Sequence, residues 1–124
     1  MTALRERVRA AASRRGDRVD EQVGEHWISW RSRERDRVFA EIRPLRGRIQ
    51  VFILPGPQDL HDRGGLAHRA PRTQGWGWFR SWLEVSSMER VEHAARLIVQ
   101  SYERLIRPDN GRRRTGRRGG TQGL

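Results

Sequence analysis

The sequence has no cysteine and no lysine among its 124 residues. Without cysteine, the chain has no thiol nucleophile, no disulfide and no thiolate ligand for a metal. Without lysine, it has no Walker A phosphate loop, no Schiff-base chemistry and no nuclease site of the acid-x-lysine type. Several enzyme classes are therefore excluded, and we expect no catalytic residues and no cofactor.

Long apolar runs are also missing from the sequence. No run approaches the roughly 18 residues that a membrane-spanning helix needs, and no apolar core follows the charged N-terminal residues as a signal peptide requires. We therefore expect a cytoplasmic protein with no membrane partner.

Arginine is the residue present in excess. All 26 basic residues are arginines, against 15 acidic residues, and the formal net charge is +11. A charge of this size attracts polyanions such as nucleic acid. Because the absence of lysine also fits a genome-wide codon bias, the arginine count is a weaker sign of phosphate binding than the same charge in a lysine-containing chain.

The most basic stretch is the C-terminal segment, where residues 107–124 hold six arginines against Asp109. A segment with almost no apolar residues cannot bury enough surface to offset the entropy lost on ordering. We therefore expect one domain over residues 1–107 and a disordered basic tail over residues 108–124. The candidate nucleic-acid contacts in this tail are Arg112, Arg113, Arg114, Arg117 and Arg118. The alternative is a tail that only increases solubility.

The longest pattern of strand-forming residues runs from Val38 to Leu54. Apolar residues recur there at every second position on both sides of a turn signal, Pro44 to Gly47, which is typical of a β-hairpin. The second arm is apolar on both faces, as strands are when they are flanked by other strands and covered. We therefore expect this arm to lie in the centre of a sheet.

The N-terminal residues 2–14 predict a short amphipathic helix that ends near Gly16. Asp17 suits the N-cap of a second helical turn, and Val19 and Val23 continue the apolar stripe four residues apart. A single helix passing through Gly16 is the alternative. We prefer two N-terminal helical segments.

Two further segments have a strand-like composition, because Glu25–Ser32 and Trp76–Val85 are rich in tryptophan and other strand-forming residues. The charged residues 31–37 predict a solvated turn between the first of these strands and the hairpin. Residues 55–75 contain three prolines and four glycines and predict a long irregular loop.

A long helix is predicted after this last strand. Ser86 and Glu89 have the spacing of a capping box, and an apolar stripe then recurs at intervals of three and four residues. The stripe comprises Met88, Val91, Ala95, Ile98, Tyr102 and Leu105. The predicted fold class is α+β, a two-layer sandwich with N-terminal helices, a mostly antiparallel sheet of about four strands and a long C-terminal helix.

The succession HWISW, VFAEIRPLRGRIQVFIL, GGLAHR and SWLEVSSMERVEHAARLIVQSYERL resembles a bacterial domain family of unknown function. Its members are often labelled predicted transport proteins, and the domain is similar to one appended to restriction-type and other DNA-associated modules. The residues most like the family motif are Phe39, Glu41, Pro44 and Arg46. Where the family tends to carry a tyrosine in the first strand, this chain has Trp30. The resemblance implies a fold and a DNA-associated context, but no reaction.

Six residues are candidates for a ligand surface. They are Trp30, Glu41, Arg43, Trp76, Trp78 and Arg80. Tryptophans interleaved with arginine suit the stacking of bases beside a cationic groove, and a carboxylate near an arginine is typical of an acid tuned by its partner. The alternatives are tryptophans that build the core and solvated cross-strand ion pairs.

A metal site is not predicted. His61, Asp62 and His68 lie in one loop, but their spacing matches no established metal motif. We therefore expect exposed loop histidines there.

Composition and motifs together favour a non-enzymatic accessory module that contacts nucleic acid or a partner protein. One alternative is a small-ligand-binding or hydrolytic domain that uses the 55–75 loop as a lid. Another is a protein–protein interaction module.

Overall fold

A computed structural model describes residues 1–71 and 78–106. Within these ranges the chain forms two α-helices and six strands. The helices are α1 (Thr2–Ser13) and α2 (Val91–Ile106), and the strands are β1 (Val19–Val23), β2 (Ile28–Ser32), β3 (Arg37–Leu45), β4 (Arg48–Ile53), β5 (His68–Arg69) and β6 (Ser81–Val85). The predicted basic tail, residues 108–124, lies outside the described residues.

The strands form one sheet in the order β1-β2-β3-β4-β6-β5, and every neighbouring pair is antiparallel. The α+β class, the antiparallel sheet, the N-terminal helix and the long C-terminal helix are therefore confirmed. The number of strands was predicted too low, since the described residues contain six rather than about four. The two additional strands are β1 and the two-residue β5.

The second N-terminal helical segment was predicted wrongly, because Val19–Val23 is strand β1 and pairs with β2. Positions four apart share a face both in a helix and in a strand, so the spacing of Val19 and Val23 fits either structure. Asp17 is not an N-cap; its carboxylate accepts hydrogen bonds from Ser32 and Tyr102. The predicted break is confirmed, since α1 ends at Ser13 and Gly16 has a φ of +74°.

The predicted hairpin is confirmed as the pair β3 and β4. Its turn is shorter than expected, because Pro44 still pairs with Ile49 and only Arg46 and Gly47 connect the strands. Gly47 has a φ of +74°, which glycine adopts without a steric penalty. Strand β4 lies between β3 and β6, as its two apolar faces predict.

The segment before α2 differs from the prediction. Strand β6 starts at Ser81 rather than Trp76, and α2 starts at Val91 after a 3₁₀ turn at Met88–Arg90. The residue before that turn is Ser87 and not the predicted cap Ser86, and Ser87 makes no side-chain capping bond. Met88 is 79% exposed and does not belong to the buried stripe.

The hydrophobic core lies between one face of the sheet and the two helices. Leu4 and Val8 of α1 and Ile98 and Tyr102 of α2 are fully or almost fully buried, and the Tyr102 and Phe39 rings pack in a T-shaped arrangement with their centroids 5.2 Å apart. Phe39 reaches this face through a β-bulge, because Trp30 pairs with Ala40 and the next residue, Arg31, pairs with Val38.

Candidate functional site

The face of the sheet opposite the helices carries polar and aromatic side chains. Ser29, Glu41, Phe52, Trp82 and His68 are successive cross-strand partners on β2, β3, β4, β6 and β5. Side chains on neighbouring strands that are directly opposite point to the same face. They therefore form one row across the sheet, with the His68 and Trp82 rings 4.9 Å apart.

Glu41 and Arg43 both lie on this second face, but they form no ion pair with each other. Burial raises the pKa of the Glu41 carboxyl, and a hydrogen bond from the Ser29 hydroxyl at 3.4 Å opposes that rise. The Arg43 guanidinium lies over the Trp27 ring, 5.3 Å from its centroid. Arg43 is thus held by a cation–π contact rather than by the neighbouring acid.

Trp30 belongs to the core and not to a ligand surface, which corrects the prediction. Its side chain is only 1% exposed and faces the helices. The indole Nε1 donates to Oε1 of Glu21 at 2.9 Å, and Arg5 donates to the same oxygen at 2.7 Å. A buried indole needs such a partner, so this hydrogen bond explains why tryptophan is tolerated there.

The other two candidate tryptophans are Trp76 and Trp78, and the structure describes only Trp78. Trp78 is 53% exposed, and its ring contacts Phe79 at 5.8 Å between centroids. Trp76 lies outside the described residues, as do Arg112, Arg113, Arg114, Arg117 and Arg118. Only Trp78 of this pair is therefore shown at the surface.

Arg80, the last member of the predicted set, lies in a cleft at one end of the inner strands β3, β4 and β6, away from the row that contains Glu41. We call this the arginine cleft and define it by Arg35, Arg37, Arg80 and Arg104. It has a volume of about 460 Å³, and its floor includes Leu54, Pro55 and Gly56. The six predicted residues therefore do not form a single site.

The backbone fixes Arg80 in the cleft. Its N–H donates to the carbonyl of Ile53 at 3.1 Å, and its carbonyl accepts from the N–H of Ala70 at 2.9 Å. Arg37 starts strand β3 and Arg104 lies in the last turns of α2. Strand, helix and loop therefore bring together four arginines from three separate parts of the sequence.

The arginine cleft has more positive charge than its neighbours neutralise. Arg35 donates to the carbonyl of Ile106 at 2.6 Å, and Arg104 faces Asp59 at 3.8 Å. Arg37 and Arg80 form no ion pair with any carboxylate in residues 1–71 or 78–106. With four arginines and one carboxylate, the cleft suits an anion.

Sequence reasoning found Arg80 but missed the other three arginines of this cleft. Arg35 and Arg37 lie in a charged segment that reads as a solvated turn, and Arg104 lies on the polar side of a helix. Such positions are ordinary for arginine. Only the three-dimensional packing of the hairpin against the end of α2 brings these residues together.

The loop histidines His61 and His68 do not converge as ligands of a metal would. The Asp62 carboxylate accepts from the backbone N–H groups of Leu66 and Ala67 at 3.0 and 2.7 Å and lies 2.7 Å from Nε2 of His93. His68 packs instead against Trp82. In the described part of the chain, no group of three or more His, Asp or Glu residues is arranged to hold a metal.

The chain matches no protein-family model, no curated protein and no solved structure. The resemblance to the bacterial family therefore stays a prediction. Neither helix among the described residues is long and apolar enough to cross a membrane.

Proposed function

We propose that the protein is a non-enzymatic binding module that contacts the phosphate backbone of nucleic acid through the arginine cleft. The observation that supports this function is the excess charge of the cleft, where Arg37 and Arg80 lack a carboxylate partner among the described residues. Arginine presents a planar set of N–H donors that matches two phosphate oxygens at once. The cleft therefore offers both the charge and the donors that a phosphate requires.

The excess positive charge of the cleft favours contact with the phosphate backbone over contact with base edges. The polar side chains that line the cleft are arginines and one aspartate, and no asparagine or glutamine lies among them. Contacts to phosphate position a protein on nucleic acid but carry no sequence information. Binding is therefore sequence-independent and depends strongly on salt.

The C-terminal segment adds further positive charge. Ile106, the last residue of α2, accepts a hydrogen bond from Arg35 of the arginine cleft. The chain therefore continues into residues 107–124 from the edge of the cleft. That segment holds Arg112, Arg113 and Arg114, so its charge adds to the attraction between the protein and a nucleic-acid strand.

The test is a fluorescence-anisotropy titration of a labelled oligonucleotide with the double variant Arg37→Gln/Arg80→Gln. The matched control is Arg46→Gln/Arg90→Gln, which removes the same charge from two exposed arginines outside the cleft. Arg46 lies at the hairpin turn, about 25 to 30 Å along β3 from Arg37.

We expect the cleft variant to weaken binding by about tenfold or more. Its log-log salt slope on duplex DNA should fall by about 0.9 for each phosphate that the protein no longer neutralises. The control is expected to retain most of the affinity, since long-range attraction from two distant charges is screened over about 10 Å at moderate salt. Equal decreases in affinity in both variants, or no binding at low salt, would overturn the proposal. A partner protein is then the remaining expectation.

A further inference from the structure

A second basic cavity lies beside α2, between the helix and the loop that follows β4. Its lining residues are His61, Arg63, His93 and Arg96, and its volume is about 360 Å³. We call it the loop–helix pocket. No carboxylate among residues 1–71 and 78–106 forms an ion pair with Arg63 or Arg96. Its cationic side chains are therefore open to an external anion.

Asp62 builds this pocket without neutralising its arginines. The Asp62 side chain is only 7% exposed, and its two oxygens are occupied by the N–H groups of Leu66 and Ala67 and by His93. Because these partners satisfy the carboxylate, it fixes the loop and orients the His93 ring. The charge of Arg63 and Arg96 remains available.

Gln100 fixes the other side of the pocket. Its side-chain oxygen accepts from the N–H of His61 at 2.8 Å, and its side-chain nitrogen donates to the carbonyl of His61 at 2.9 Å. This pair of bonds fastens the loop backbone to α2. The loop residues on either side of His61 are therefore held close to α2.

The two basic cavities lie on one stripe of α2. Arg96, Gln100 and Arg104 are spaced four residues apart, so they lie one above another on the same helix face. Arg96 lines the loop–helix pocket and Arg104 lines the arginine cleft. At 1.5 Å per residue, the two arginine Cα atoms are about 12 Å apart along the helix axis.

The loop runs along the same stripe. Asp59 faces Arg104 at 3.8 Å, and His61 is bonded to Gln100. Arg63 then reaches the pocket that Arg96 lines. The helix and the loop thus line both cavities, which lie on either side of the contact between His61 and Gln100.

We infer that the loop–helix pocket is a second phosphate site, and that the two cavities bind separate phosphates of one nucleic-acid strand. The inference rests on the proposed function and specifies its ligand. The two cavities share no lining residue, and the Cα atoms of Arg96 and Arg104 are about 12 Å apart along α2, so the ligand that fills both is a chain with several phosphates. A mononucleotide or inorganic phosphate occupies only one site at a time.

Linking the two contacts through one strand raises affinity, because the second contact is made within the same complex. The test compares labelled oligothymidylates from tetranucleotide to dodecanucleotide with three proteins besides the wild type. These are Arg63→Gln/Arg96→Gln, Arg37→Gln/Arg80→Gln and the control Arg46→Gln/Arg90→Gln. All six arginines lack an ion pair in the described residues, so each variant is expected to fold, which thermal unfolding checks.

For the wild type we expect affinity to rise with strand length, and inorganic phosphate to compete poorly against the dodecanucleotide. The variant Arg63→Gln/Arg96→Gln should bind the dodecanucleotide about tenfold or more weakly. Its salt slope on single strands should fall by about 0.7 for each phosphate that the protein no longer neutralises. Its affinity for the tetranucleotide should decrease less than its affinity for the dodecanucleotide.

The possible outcomes separate the two proposals. If Arg63→Gln/Arg96→Gln binds every length as the control does while the cleft variant is weakened, the loop–helix pocket is not a phosphate site and the arginine cleft alone remains. If the cleft variant also matches the control, the proposed function itself is wrong. If inorganic phosphate displaces the dodecanucleotide as effectively as an unlabelled strand with the same number of phosphates does, the inferred link between the two sites is wrong.

Discussion

The hydroxyl of Tyr102 donates a hydrogen bond to Oδ2 of Asp17 at 2.8 Å. This bond joins the C-terminal helix to the connection between α1 and β1. The same oxygen accepts from the Ser32 hydroxyl at 2.6 Å, and Oδ1 accepts from the N–H groups of Arg18 and Glu34. One carboxylate therefore connects both ends of the domain to the turn between β2 and β3.

We predict that Tyr102→Phe lowers the free energy of unfolding by about 1 kcal/mol, the usual net value of one hydrogen bond. Asp17→Ala should cost more, about 2 to 4 kcal/mol, because it leaves the buried hydroxyls of Ser32 and Tyr102 without their acceptor. Urea denaturation followed by circular dichroism measures both. The control is Asp20→Ala, which breaks an exposed pair with Arg33 and should cost much less than Asp17→Ala, because exposed ion pairs contribute little to stability. Equal costs for Asp17→Ala and Asp20→Ala would contradict the central role of Asp17.

The same cluster predicts how stability depends on acid pH. Burial alone would raise the pKa of Asp17, but its hydrogen bonds, led by the one from Ser32, hold that pKa below the ordinary value of 3.8. The folded protein then binds this proton more weakly than the unfolded chain does. The contribution of Asp17 is therefore complete above pH 3.8 and is lost as the pH falls through the lower folded value.

At alkaline pH, stability depends on Tyr102 in the opposite direction, since its contribution is lost as the pH rises. Burial, together with the hydrogen bond to Asp17, raises the pKa of this hydroxyl well above its ordinary value of 10.0. Its contribution to stability is complete below pH 10.0 and is lost as the pH rises toward the folded value. Denaturation over a pH series should show that Asp17→Asn flattens the acid limb and Tyr102→Phe the alkaline limb. An alkaline limb unchanged in Tyr102→Phe would show that another group controls it.

The buried stripe of α2 gives a prediction with a matched control. Ile98 is completely buried in the core, whereas Met88 is 79% exposed. We expect Ile98→Asp to prevent folding, because an uncompensated charge in the core costs more than most single substitutions, about 4 kcal/mol or more. Met88→Asp introduces the same charge before the helix and should change stability by less than about 0.5 kcal/mol. Far-UV circular dichroism and thermal unfolding distinguish the two. A cooperatively folded Ile98→Asp protein would contradict the assignment of the core.

The elements that the sequence predicted well are those in which periodicity and turn chemistry agree. In the hairpin, alternation and Gly47 indicate the same structure, and in α2 a stripe through Ala95, Ile98 and Tyr102 fits one face only. Val19–Val23 was misassigned because a spacing of four residues fits both a helix and a strand. Hydrogen bonding to β2 makes this segment a strand, and no local sequence pattern indicates that pairing.

The candidate site was less predictable than the fold. Trp30 and Trp78 have the same chemistry in the sequence, yet one is in the core and the other is 53% exposed. The arginine cleft depends on contacts between residues as far apart as Arg35 and Ile106. Charge can be counted from the sequence, but which arginines lack a carboxylate partner is decided only by packing.

The loop after β4 is better anchored than its proline and glycine content suggests. Asp62 accepts from the N–H groups of Leu66 and Ala67, and Leu66 is buried. We therefore predict slow amide hydrogen exchange at Leu66 and Ala67, and faster exchange at both in Asp62→Ala, because that variant removes their acceptor. The N–H of Ile98 is the internal reference within α2. Fast exchange at Leu66 in the wild type would show that the loop opens freely, as the sequence composition suggests.

The last prediction concerns the C-terminal arginines. Residues 111–124 include Arg112, Arg113, Arg114, Arg117 and Arg118, and the chain enters this segment beside the arginine cleft. If these five arginines neutralise about five phosphates, they add roughly −4 to −5 to the log-log salt slope on duplex DNA. Deleting residues 111–124 should therefore weaken binding and flatten the slope, with little sequence preference in either protein.

The melting temperature of the truncated protein should stay nearly unchanged, since the deletion removes none of the core residues found in the described part of the chain. Anisotropy titrations of both proteins at several salt concentrations measure the slopes. The variant Arg37→Gln/Arg80→Gln, combined with the deletion, separates the two contributions, because independent contacts change the slope additively. Identical slopes with and without residues 111–124 would show that the C-terminal arginines do not contact phosphate. If Arg37→Gln/Arg80→Gln in the full-length protein still weakened binding, the affinity would come from the arginine cleft and not from the C-terminal arginines.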